Sequence, residues 1–123
     1  MERVILLFTF PVNAFEKAFF NKCMTVEFNK LEPEEFAQYL KFYAQKKAEI
    51  QNYIKYTEIV MLINKLAGLE LQPNDDIYKY NAGDVVFVVT MKKKIIFKKE
   101  TIEEVSEDDL NFYKVTVAPG VWL

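Results

Sequence analysis

The chain has 123 residues, 51% of them hydrophobic and 15% aromatic, and its 16 basic and 18 acidic side chains leave a net charge of -2. That length predicts a single domain over 1–123, able to bury about two-thirds of the surface its unfolded form exposes. The composition argues against a disordered chain and against a broadly basic nucleic-acid coat, so any anion site has to be local. Histidine is absent and Cys23 is the one cysteine. This excludes an internal disulfide, a histidine-based nucleophile relay and a structural zinc site, and it fits a reducing cytoplasm. No run approaches the roughly 20 apolar residues of a membrane span, and the start, with Glu2 and Arg3, lacks a signal-peptide pattern.

In chain order, Arg3 to Phe10 is a largely apolar run that predicts a central strand, stopped by Pro11. Val12, Phe15, Phe19 and Cys23 share one helical stripe, with Asn13 placed to cap that helix or to touch a ligand. Thr25 to Phe28 alternates with period two, which predicts a half-buried strand with Val26 and Phe28 inward. Glu32-Pro33-Glu34-Glu35 signals a helix start, with proline in the first turn and carboxylates at the positive end of the dipole. Phe36, Leu40, Tyr43, Ile50 and Ile54 continue one apolar stripe, interrupted by Lys47, whose long stem can cover apolar surface. The charges of its other face, Lys41 and Lys46 among them, predict a solvated surface.

One helix from Pro33 to Ala67 would be too long for a small domain, so a break is expected between Gln51 and Thr57. Thr57 is then a candidate N-cap of a second helix, with Ile59, Leu62, Ile63 and Leu66 inward and Gly68 as its left-handed stop. A helix corner set against a sheet can frame a site, which singles out Tyr56 and Thr57. Leu69 to Leu71 and Ile77 to Tyr80 are expected as short strands, separated by turn residues Pro73 to Asp76. Asn81 to Asp84 reads as a hairpin connection into Val85 to Val89, an unbroken apolar run that predicts the central strand. That strand delivers Lys92, Lys93 and Lys94, and then Lys98 and Lys99, to one end of the sheet. Thr101 opens an expected short acidic helix, Phe112 to Val117 alternates as a last strand with Tyr113, Val115 and Val117 on one face, and Trp122 closes the chain as a packing anchor. The order predicts an α+β fold, a mixed sheet of about five strands flanked by helices.

Three blocks of this sequence resemble a known family. Val4 to Asn13 is similar to an opening strand with an A-F-S-x-N turn, keeping Phe10 and Asn13. Leu62 to Gly68 is similar to an L-I/L-x-x-L-x-G helix end, and Asp84 to Lys94 to a D-x-L-x-V-V-Q-x-x-x-R strand. The chain thereby resembles the small proteins of crenarchaeal viruses that include the type III anti-CRISPR ring nucleases. The resemblance implies a mixed sheet with helices, a homodimer, and cyclic tetra-adenylate bound across the dimer interface. A protein of the host cytoplasm is expected, with no cofactor; carboxylate-bound magnesium stays formally open, although no paired-Asp motif asks for it. In members that are enzymes, a ribose 2′-hydroxyl is the nucleophile and a histidine is the acid.

The family's chemical groups do not carry over. The serine of the first turn falls on Pro11, the histidine on Tyr56, and the arginine at the end of the long strand on Lys94, which keeps the charge without the bidentate fork. A phenol, with an ordinary pKa of about 10, is a poor proton donor for this step near neutrality. The first reading is therefore a non-catalytic member that binds cyclic tetra-adenylate, another nucleotide or a short RNA, with Thr9, Asn13, Tyr56, Thr57, Lys93 and Lys94 lining the site beside Lys92. A second is a protein-interaction module, with a host or viral protein as partner, whose lysines guard an exposed sheet edge. A third is a slow nuclease using Tyr56 or Glu58 and positioning of the 2′-hydroxyl.

Overall fold

Two strands hold the centre because each is apolar on both faces. The structure is a computed structural model that describes residues 2–10, 24–92 and 105–119. Strand β1 (Arg3–Phe8) and strand β4 (Val85–Met91) pair in parallel, Val4 opposite Val85 through Phe8 opposite Val89. Val4 to Leu7 and Val86 to Val89 are all buried. Around this pair lie β2 (Met24–Leu31), β3 (Glu49–Asn52) and β5 (Leu110–Pro119), giving a five-stranded mixed sheet in the order β2-β5-β4-β1-β3. With helices α1 (Pro33–Gln45) and α2 (Thr57–Ala67), the fold is α+β.

The two faces bury different partners. Val4, Leu6, Phe87, Val89 and Phe112 meet Phe36, Leu40 and Tyr43 of α1 and Ile59, Val60, Ile63 and Ala67 of α2. The rings of Phe36 and Phe112 lie 4.6 Å apart at the middle of this layer. Ile5, Leu7, Val86, Val88 and Val115 face the other way, against Tyr78, with Phe10, Val26, Tyr53, Tyr80 and Val117 packed at the margin. Phe28, expected inward beside Val26, is 47% exposed. It lies on the outermost strand, beside the rings of Phe10 at 5.1 Å and Tyr113 at 6.1 Å.

Helix α1 starts where its sequence signals a start. Glu32 is the N-cap and donates its backbone N–H to Glu35 Oε1 at 3.0 Å, one half of a capping box. The helix stops at Gln45, six residues before the earliest expected break at Gln51. Lys47 adopts φ 59, its N–H donates to the Ala44 carbonyl, and the Ala48 N–H donates back to the Tyr43 carbonyl. That pair of bonds is a Schellman stop built without glycine. Ile50, expected to extend the helical stripe, therefore lies in β3, opposite Val4 of β1. The second helix ends as expected on Gly68 at φ 67, but it begins one residue away from expectation, with Tyr56 rather than Thr57 at the cap.

Residues 69–84 contain neither of the two short strands expected there. Side chains replace the ladder. Asn64 exchanges two hydrogen bonds with the backbone of Leu71, at 2.9 and 2.8 Å. Asn52, a buried polar residue, donates to the carbonyls of Ile54 and Gln72 and accepts from the Ile54 N–H. Asn74 donates to the Asn52 carbonyl at 3.1 Å. At the far end of the segment, the Tyr78 hydroxyl donates to Asp84, whose other oxygen lies 3.3 Å from Arg3 Nε. Burial first, then that bond to Asp84, holds the Tyr78 hydroxyl well above the usual phenol range. Because residues 77–80 form no strand, 81–84 is a simple turn into β4 and not a hairpin. The expected helices after Val12 and Thr101, and the Trp122 anchor, lie outside the described residues.

A lysine in the left-handed region costs roughly 1 kcal/mol that a glycine does not. Lys47→Gly is expected to raise stability by about 0.5–1 kcal/mol, or about 2–5 °C in a thermal melt followed by circular dichroism.

Candidate functional site

Strands β1, β3 and β4 run parallel, so their carboxyl ends share one edge of the sheet. Strand β2 ends there too, because β2 and β4 both run antiparallel to β5. Both helices consequently begin at this edge, at Pro33 and Thr57. An edge where parallel strands end and helices start gathers unsatisfied backbone N–H groups and polar loop residues, the usual place for a bound anion or ligand in such sheets.

Thr9 leaves β1 here with φ 60, a conformation a β-branched residue rarely takes. Its N–H donates to the Val89 carbonyl at 2.9 Å, which fixes the backbone while the side chain stays exposed. Strain of this kind costs on the order of 1–3 kcal/mol and persists only where the surroundings over-determine it. The preceding residue, Phe8, packs edge-on against Tyr56 at 5.1 Å and 70°. Tyr56 caps α2, Thr57 is exposed in its first turn, and Lys55 Nζ stands 5.4 Å from the Tyr56 ring centre. Across β1, Lys92 leaves β4 exposed, its N–H donating to the Asp109 carbonyl at 3.0 Å.

Of the residues expected to line a site, Thr9, Tyr56 and Thr57 thus meet at one edge, joined by the Phe8–Tyr56 contact. Asn13, Lys93 and Lys94 lie outside the described residues. The local charge is mixed: Lys55 and Lys92 are balanced by Glu58 in the first turn of α2 and by Glu107 to Asp109 near Lys92. Beside Tyr56 opens a polar cleft of about 310 Å³ lined by Lys55, Pro73, Asn74 and Asp75. Its far wall is the segment that Asn52 and Asn74 tie down. The sequence marks Pro73 to Asp76 as turn chemistry, and nothing in it pairs that turn with Lys55. Among the described residues no group of three or more Asp, Glu or Cys side chains converges as a metal-binding set. The arrangement offers ring faces, hydroxyls and amides to a ligand and holds no imidazole to move a proton.

No protein-family model matches the chain, and no curated protein matches it. Among solved structures it is similar to B116 of Sulfolobus turreted icosahedral virus (STIV), with a TM-score of 0.65 and 23% identity, over 92% of this chain and 97% of that one. That likeness is one of fold, and it extends over nearly the whole of both chains. Among the described residues no helix is long and apolar enough to cross a membrane.

The cleft depends on Asn52. Asn52→Ala leaves the buried Ile54 N–H without its acceptor and the Gln72 carbonyl without its donor, a loss of about 2–3 kcal/mol. The expected outcome is a lower melting temperature together with faster amide exchange across residues 71–76, read by hydrogen–deuterium exchange mass spectrometry.

Proposed function

We propose that this chain is an accessory protein of an archaeal virus that works inside the host cell. It would hold a cyclic oligoadenylate, or a related nucleotide, at the strand-end edge without cutting it, with two copies sharing the ligand across a dimer interface. The observation that carries the reading is that Thr9, in strained backbone, follows Phe8, which packs on Tyr56 at the start of α2, so that Thr9, Tyr56 and Thr57 share one edge. These are positions that the sequence resemblance assigns to a nucleotide pocket. The fold shared with a viral protein supports the same direction. A tyrosine ring with a lysine beside it suits a stacked base, and such stacking contributes about 1–3 kcal/mol per base. With Tyr56 and Pro11 in place of the family's histidine and serine, the ligand would be retained intact.

One alternative loses support. Lysines that guard a free sheet edge belong on an outer strand, yet the strand leading into Lys92, Lys93 and Lys94 is the middle one of five.

Calorimetric titration of cyclic tetra-adenylate into the purified protein tests the reading, with chromatography of the cell contents afterwards. Saturable heat with intact ligand is expected, and Tyr56→Ala or the pair Lys93→Ala and Lys94→Ala should weaken binding about tenfold or more. Linear product would favour the nuclease, and absence of heat at about 100 µM would refute the binding function.

A further inference from the structure

Helix α1 carries a second exposed stripe on the flank away from the core. Glu35, Gln38, Phe42 and Lys46 are exposed and Tyr39 is half-buried beside them. At helical spacing these five fall on one side. Glu35, Gln38, Tyr39 and Phe42 line an open groove of about 400 Å³. Phe42 is 50% exposed, a large apolar ring on a helix whose core contacts are already made by Phe36, Leu40 and Tyr43. Lys46 Nζ lies 4.8 Å from the Phe42 ring centre, and Lys114 of β5 lies 5.1 Å from that of Tyr39.

Charge is distributed unevenly along this helix. Its amino-terminal end carries Glu32, Glu34 and Glu35, and its carboxyl-terminal end Lys41, Lys46 and Lys47, with the two rings between. A helix laid against an antiparallel copy of itself about a two-fold axis midway between Leu40 and Lys41 puts Glu35 opposite Lys46. The same axis brings Tyr39 against Phe42. Each pairing occurs twice, as an isologous contact requires. The stripe is therefore self-complementary in charge and apolar at its middle, where interface contacts count most.

We propose that the outer flank of α1 is a docking surface for a second copy of this chain, with α1 packed antiparallel on α1. The surface is separate from the strand-end site and stands without it. A single pair of helices covers less area than a standard interface, so the association is weak and concentration-dependent.

The test is charge reversal read by analytical ultracentrifugation of the full chain up to about 200 µM. Lys46→Glu places like charges opposite each other at both ends of the contact, as does Glu35→Lys, and each should weaken self-association about tenfold. The double variant Glu35→Lys/Lys46→Glu restores opposite pairs and should recover association. An equimolar mixture of the two single variants should form the hetero-pair that neither forms with itself. Glu35→Lys also removes the capping-box contact to the Glu32 N–H, so its fold is checked by circular dichroism. Phe42→Asp, at a half-exposed position, leaves the capping box intact and should weaken association too. A wild-type chain that stays monomeric, single variants that change nothing, or weakened association that neither double variant nor mixture restores would each overturn the proposal. Any further association through the strand-end edge leaves these ratios unchanged, so failure here is distinct from failure of nucleotide binding.

Discussion

The parallel pairing of β1 with β4 is the constraint on which the rest depends. Eight consecutive-face positions, Val4 to Leu7 and Val86 to Val89, are buried, so both faces of the sheet's middle have to be covered. One face recruits the helices. On the other, among the described residues, irregular chain brings Tyr78 over Ile5, Val86 and Val88. An irregular segment laid on a core has to satisfy its own backbone, which is why Asn52, Asn64 and Asn74 supply amide bonds where a ladder is missing.

The same pairing sets where chemistry can occur. Because β1, β3 and β4 run one way, the chain leaves the sheet at a common edge after Phe8, Asn52 and Met91. That geometry places an exposed threonine, a capping tyrosine and a lysine along one edge of the sheet. It also places acidic residues close by, so the edge carries mixed charge and not a positive patch. The strain at Thr9 is consistent with a backbone held in place for binding rather than for stability.

Much of the architecture was legible in the sequence. Unbroken apolar runs marked β1 and β4, Glu32 to Glu35 marked the start of α1, and Gly68 marked the end of α2. The stop of α1 was hidden, because Lys47 takes a left-handed conformation that only glycine or asparagine would have advertised. With the helix extended on paper, Ile50 fitted its stripe and β3 disappeared. Leu69 to Leu71 and Ile77 to Tyr80 look like strands by composition, but Asn64 of α2 takes the backbone bonds of Leu71, and Tyr78 is held by burial and its bond to Asp84. Tyr56 and Thr57 were singled out at an expected helix corner and Thr9 through resemblance to a family, and the structure sets all three along one edge. The cleft wall of Asn74 and Asp75 was not legible, since its placement across the cleft from Lys55 is long-range and held by a buried asparagine.

The central claim is that the strand-end edge holds a nucleotide and leaves it whole. Amide chemical-shift mapping of the isotope-labelled chain, with cyclic tetra-adenylate added in steps, tests this most directly. The account predicts saturable shifts at Thr9, Tyr56, Thr57 and Lys92, with the ligand's phosphorus signals remaining those of the ring. Shifts confined to other surfaces, or ring signals converting to linear product, would contradict it.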